Sequence, residues 1–151
     1  MKQVFIFIVF VVFGTAAVPH AQGDPAGPLR VAGPSGGDVK AQLNTAIVHA
    51  GFAGSGDSMG YVRQHLGHAL NCIEGTSGKN FNRAWGHVCQ GQGSGILQDL
   101  RAAPSGATFT LVIEHADSLA AAGLTRNDLV EARMAAKATA ALLSVIEGNL
   151  R

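Results

Sequence analysis

The chain has 151 residues, a formal net charge of +1 and a charged-residue content of 14%. This length is enough for one domain. A nearly neutral chain lacks the concentrated basic face that nucleic acids and anionic membranes require, so we expect neither as a partner.

The first residues have the pattern of a secretory signal peptide, which we assign to residues 1–17. Lys2 precedes an unbroken apolar run, residues 4–13, and small residues follow at Thr15–Ala17. Cleavage after Ala21 is the alternative. The apolar run is shorter than the roughly 20 residues that a membrane-spanning helix needs. We therefore predict a periplasmic or secreted protein that has no membrane span after signal removal.

Residues 18–37 are rich in proline and glycine and show no hydrophobic period, which predicts a disordered leader. Residues 38–151 form the predicted helical domain. Their hydrophobic period indicates a short helix over 96–103 and four long helices, with bounds of about 38–53, 57–74, 107–122 and 125–147.

Four residues mark the predicted helix ends. Asp38 and Thr125 are the expected N-caps of the first and last long helices, with Asp128 at the capping-box position after Thr125. Gly75 and Gly123 are the expected stops of the second and third. Two helical hairpins packed together give an antiparallel four-helix bundle, the all-α architecture that we predict.

The chain contains two cysteines, Cys72 and Cys89. In an oxidising compartment such a pair most simply forms a disulfide. That bond would close a loop of roughly 17 residues and contribute about 3 kcal/mol by the loop-entropy model. We therefore expect a disulfide-pinned loop between the second and third long helices.

The helix over 57–74 carries a His-x-x-His pair, His65 and His68, in line with Tyr61 and Cys72 at helical spacings. An apolar stripe runs beside it, formed by Val62, Leu66, Ala69 and Ile73. Neutral imidazole is a favoured ligand of copper and zinc, so the pair is a candidate metal site. Two ordinary polar residues at a helix edge would give the same pattern.

Three further histidines are candidate ligands: His49, His87 and His115. A tight turn would place His49 near the start of the second helix, so its contact with His65 needs some slack in register. A Cys72–Cys89 bond would bring His87 towards His68, because each histidine lies close in sequence to one cysteine.

Two other interpretations remain open. The same histidines could hold a non-covalent haem b. Alternatively the protein is a metal-free scaffold or interaction module whose partner meets the loop over 81–95, with Phe81 and Trp85 as contacts. No nucleophile elbow, phosphate-binding loop or His-Glu-x-x-His motif is present, so we do not expect an enzyme.

Part of the chain resembles a group of small exported proteobacterial helical proteins of poorly characterised function. The resemblance runs from Thr45–Ala53 through His65-Leu66-Gly67-His68 and Asn71-Cys72 to Cys89. Export, size and helical histidines are also similar to those of small periplasmic four-helix-bundle proteins that bind copper and other divalent metals. This resemblance implies a copper or zinc ion at helix histidines, although those bundles carry many more histidines and no such disulfide loop.

Overall fold

A computed structural model describes residues 37–104 and 106–150, and within them the regular structure is helical, with no strand. The predicted signal peptide and all but the last residue of the predicted leader lie outside this part. One 3₁₀ turn, Arg83–Trp85, lies in the loop after the second helix. The five α-helices are α1 (Val39–Ser55), α2 (Met59–Glu74), α3 (Ile96–Ala102), α4 (Gly106–Leu124) and α5 (Leu129–Asn149). The all-α prediction is therefore confirmed for the described residues.

The helices pack around a core in which small side chains are prominent. α1 packs against both α2 and α5, and α4 packs against α5, α2 and the short α3. Fully buried alanines lie on α1, α2, α4 and α5, beside large side chains such as Leu43, Leu66, Leu143 and Ile146. No helix in residues 37–104 or 106–150 is both long and apolar enough to cross a membrane. The finer prediction, two hairpins forming an antiparallel four-helix bundle, stays a prediction.

The start of α1 agrees with the cap predicted from the sequence, and the start of the last helix differs from it. Asp38 caps α1, because its Oδ1 accepts a hydrogen bond from the Ala41 N–H at 2.9 Å. Ser58 caps α2. The prediction that Thr125 caps the last helix is wrong, since the Thr125 hydroxyl donates back to the Ala122 carbonyl at 2.8 Å. Asp128 is the cap of α5, and its Oδ1 accepts from the Glu131 N–H at 2.9 Å.

Two glycines that look alike in sequence have different roles. Gly75 ends α2 as predicted, with a φ of 65° that favours glycine. The prediction that Gly123 ends its helix is wrong, because α4 continues to Leu124. A Cβ on Gly123 would lie 2.7 Å from Leu66 Cδ2 and 2.8 Å from Ala135 Cβ. Gly123 therefore permits close packing of α4 rather than a turn.

The loop over residues 76–95 is held to α2 by covalent and noncovalent contacts. The Cys72–Cys89 disulfide is present, with Cα atoms 5.4 Å apart, as predicted. Next to it, the buried Asn71 amide donates to the carbonyls of Asn82 (2.8 Å) and Gly86 (2.6 Å) and accepts from the Asn82 N–H (2.9 Å). Two consecutive residues of α2 thus fix the loop.

A pair of buried carboxyl groups lies where the end of α2 meets α4. Glu74 and Asp117 are only 4% and 6% exposed. Burial is the main reason that the pKa of Asp117 rises to about 7, and the charge and hydrogen bond of Glu74 raise it further. Glu114 also raises this pKa, and Lys79 opposes the shift. Asp117 therefore holds a proton up to about pH 7 and can donate it to the Glu74 carboxylate.

The carboxyl pair makes stability depend on pH. Because the pKa of Asp117 is about 7 in the folded chain, against its ordinary value of 3.8, the folded state retains the proton between these values. Its contribution to the free energy of unfolding therefore falls as pH rises from about 3.8 to about 7. Asp117→Asn should remove this contribution. The difference in the free energy of urea unfolding between wild type and variant should therefore change between about pH 3.8 and about pH 7. A difference that is independent of pH would contradict it.

Removing the disulfide should weaken the fold without changing its class. We expect Cys72→Ala plus Cys89→Ala to lower the free energy of unfolding by about 2–4 kcal/mol, the usual contribution of such a bond. Urea unfolding followed by circular dichroism measures it, with dithiothreitol-reduced wild type as the control. Equal stability of the oxidised wild type and the variant would show that the bond contributes nothing.

Candidate metal centre

Three histidines from two helices converge at the contact between α1 and α2. The Nδ1 of His49 lies 3.0 Å from the Nδ1 of His65 and 3.1 Å from the Nδ1 of His68. One ring nitrogen of each histidine lies within 4.8 Å of those of the other two. We call His49, His65 and His68 the histidine centre.

The amphipathic pattern of the two helices explains this position. Val62, Leu66, Ala69 and Ile73 are fully buried, as the sequence predicts, so His65 and His68 lie at the edge of the buried face of α2. On α1, Ala46, Ala50 and Ala53 are fully buried and His49 flanks them. The histidines are therefore half-buried, with their side chains at the rim of the helix contact.

Aromatic side chains surround the centre on one side. The ring centroid of His65 lies 4.3 Å from that of Tyr61 and 5.2 Å from that of Phe52. Phe52 also meets His49 edge to face at 5.8 Å. These contacts restrict rotation of His65 and His49 and give the centre an apolar border.

Gln64 sets the proton position on His68. Its amide Nε2 donates to His68 Nε2 at 2.8 Å and to the Trp85 carbonyl at 3.0 Å. A neutral imidazole that accepts at Nε2 carries its proton on Nδ1, so His68 donates to His49 Nδ1. The sequence analysis missed Gln64, although its spacing of four residues from His68 places the two on one helix face.

The hydrogen bonds within the histidine centre cannot all form at once. Each ring nitrogen has one in-plane site, which holds either a proton or a lone pair. His49 Nδ1 has two neighbouring nitrogens at hydrogen-bond distance, so its one site cannot satisfy both of them. A single cation at the centre would instead be coordinated by all three lone pairs.

The electrostatic environment favours the neutral form of the His49 and His65 imidazoles. Burial lowers the pKa of His49 to about 4, and the charges of His68 and His65 add to the effect. Burial, followed by the charge of His68, also lowers the pKa of His65. Metal ions bind imidazole only in its neutral form, so the same environment that disfavours protons leaves lone pairs free for a metal.

The spacing suits a small ion better than a flat macrocycle. Two nitrogens bound tetrahedrally to zinc at about 2.0–2.1 Å lie about 3.4 Å apart. The observed 3.0 and 3.1 Å need only a small outward movement of the rings. A haem held by two histidines must fit between them, and nitrogens in mutual contact leave no such gap.

The structure does not bring the two other candidate histidines into this group. The His87 ring packs edge to face on Phe81 at a centroid distance of 5.2 Å, and burial lowers its pKa. His115 is exposed on α4, where its Nδ1–H donates to the Leu111 carbonyl at 2.8 Å. The disulfide-pinned loop does reach His68, but it contributes the Trp85 carbonyl and Gly86 rather than the His87 ring.

The two aromatic residues proposed as partner contacts are half-buried. Trp85 covers Gly67 on α2 so closely that a Cβ at that position would overlap the indole. Phe81 packs against His87. A partner for the loop over 81–95 stays a prediction.

Comparisons with protein-family models, curated proteins and solved structures find no match for this chain.

The unusual titration of His49 gives a direct test of the geometry. In metal-free protein the His49 imidazole should titrate near pH 4, since its pKa is lowered from 6.5 to about 4. The folded value is the lower one, so its contribution to stability is lost as pH falls from 6.5 towards 4. NMR of the ring protons measures the pKa.

His68→Ala should raise the pKa of His49, because the charge of His68 contributes to the shift. His115→Ala, on a different helix, is the matched control and should leave it unchanged. An ordinary value near 6.5 for His49 in the wild-type chain would exclude the packed arrangement of the three rings.

Proposed function

We propose that this protein binds a transition metal ion, copper or zinc, through His49, His65 and His68. The observation that carries the proposal is the convergence of their Nδ1 atoms, with His49 Nδ1 at 3.0 and 3.1 Å from the other two. Imidazole is a preferred ligand of both metals. Three protein ligands leave a fourth position for water or another ligand.

We propose that the protein is located in the periplasm or outside the cell. The signal-like pattern of residues 1–17 and the Cys72–Cys89 disulfide support this location. We also propose that the scaffold is an antiparallel four-helix bundle, since α1 packs on both α2 and α5 while α4 packs on α5 and α2. Bundles commonly build metal sites from side chains on facing helices.

Metal binding requires a change at Gln64. The metal-free arrangement places the His68 proton on Nδ1, the atom that faces the centre. For Nδ1 to bind a metal, the proton moves to Nε2, which then becomes a donor. Gln64 accepts it by rotating its amide to present Oε1, and such a hydrogen bond on the outer nitrogen holds a ligating imidazole in place.

The proposal is tested by metal content and affinity. Protein purified from the periplasm of an expression host should contain stoichiometric copper or zinc by elemental analysis. His49→Ala, His65→Ala and His68→Ala should each weaken affinity by about 100-fold or more, since loss of an outer-shell partner alone costs about 10- to 100-fold. Competition titration with a chromogenic chelator measures these changes.

Two histidine variants serve as matched controls. His115→Ala and His87→Ala remove the same side chain from positions outside the centre, and both should leave affinity unchanged. An absorption spectrum separates the alternatives, because a Soret band would show haem in place of an ion. Protein that stays metal-free and has no micromolar affinity for copper or zinc would overturn the proposal.

A further inference from the structure

A second polar site lies at the other end of α2, away from the histidine centre. A cavity of about 460 Å³ opens between the end of α2, α3 and α4. This volume is within the roughly 300–1,000 Å³ of small-molecule sites. Its walls include both buried carboxyls, Glu74 and Asp117, together with the exposed Ser77 and Ser118.

Neither carboxyl forms an ion pair with a described residue, although the Lys79 ammonium is close enough to lower the pKa of Asp117. Among residues 37–104 and 106–150 the ion pairs are Lys40–Glu147, Arg101–Glu114 and Arg126–Glu131, so neither Glu74 nor Asp117 is paired. Glu74 Oε1 accepts one hydrogen bond, from the Asn80 amide at 2.6 Å. Asp117 can hydrogen-bond Glu74 only when the pair holds a proton. Without one, its buried Oδ1 has no partner among the described side chains and backbone.

A buried carboxylate oxygen without a donor is costly, and two carboxylates together increase the cost. The missing component is a positive charge that carries several N–H donors. A primary ammonium group supplies both. A divalent metal ion fits less well, because in the part of the chain that the structure describes the histidines are the one set of three ligand groups that converges.

The mouth of the cavity has the opposite charge. Arg101 and Lys79 line it and are exposed, and the Arg101 guanidinium lies 3.2 Å from the Glu114 carboxylate. The buried carboxyls therefore lie inside, and the rim carries two cations, one of which is paired with Glu114. This polarity matches a small molecule with an ammonium group at one end and a carboxylate at the other.

We propose that this cavity binds a small zwitterion of the α-amino-acid class. Its ammonium group lies between Glu74 and Asp117 and donates to Asp117 Oδ1. Its carboxylate faces Lys79 and Arg101 at the rim. The site is independent of the metal proposed at the histidine centre.

Calorimetric titration of the oxidised chain with each proteinogenic L-amino acid tests this proposal. The titration is run at mildly alkaline pH, where the proton shared by the carboxyl pair has been released. We expect at least one amino acid to bind with millimolar or better affinity. Its N-acetyl derivative, which keeps the carboxylate and lacks the positive charge, and the corresponding amine without the carboxylate should both bind at least about 10-fold more weakly.

Asp117→Asn should weaken binding by about 10-fold or more, because a hydrogen bond to a charged acceptor is lost. Glu131→Gln removes an exposed carboxylate outside the cavity and is the matched control, with unchanged binding expected. Circular dichroism shows that each variant is folded. The proposal is overturned if no amino acid binds the folded wild type, if the N-acetyl derivative binds equally well, or if Asp117→Asn leaves binding unchanged.

Discussion

The close contact between α1 and α2 is the constraint on which the histidine centre depends. Neither helix alone brings three imidazoles together, since His49 comes from α1 and His65 and His68 come from α2. The connection between the two helices leaves no room for a side chain at Gly56. A Cβ on Gly56 would lie 2.7 Å from Tyr61 Cδ1 and 2.9 Å from Val62 Cγ2. This tight connection and the buried alanines of α1 set the register that places His49 against both partners.

The sequence predicts much of the secondary structure, because the signals involved are local. Asp38, Ser58 and Gly75 act within a few residues of their own positions, and the buried stripe of α2 follows directly from its period. Gly123 shows where such signals fail. A glycine near the end of a helical pattern resembles a stop, but its role here comes from Leu66 and Ala135, which are distant in sequence.

The candidate site was only partly predictable for a similar reason. The spacing of His65 and His68 places them on one face, whereas contact with His49 depends on helix register, which the sequence does not reveal. The disulfide indicates that the loop approaches His68, and it does. The disulfide does not specify which residue of the loop lies next to His68. The turn at Arg83–Trp85 and the φ of 82° at Gly86 determine the direction of the His87 side chain. Its ring consequently packs on Phe81.

α2 thus carries polar groups of opposite character at two places. Next to the middle of α2, burial and the neighbouring imidazoles lower the pKa of His49. Next to its end, burial and Glu74 raise the pKa of Asp117. Asp117 Oδ1 has no partner among the described residues, and the Nδ1 of His49 faces two other ring nitrogens at once. Because fold stability favours satisfied polar groups, such unsatisfied clusters are where a ligand gains the most from binding.

The amide of Gln64 links the histidine centre to the surface loop. It now donates to both His68 and the Trp85 carbonyl, so rotating it towards a metal-bound His68 withdraws the donor from that carbonyl. Trp85 is the single tryptophan of the chain and lies half-buried over Gly67. We therefore expect its fluorescence to respond to a rotation of the Gln64 amide.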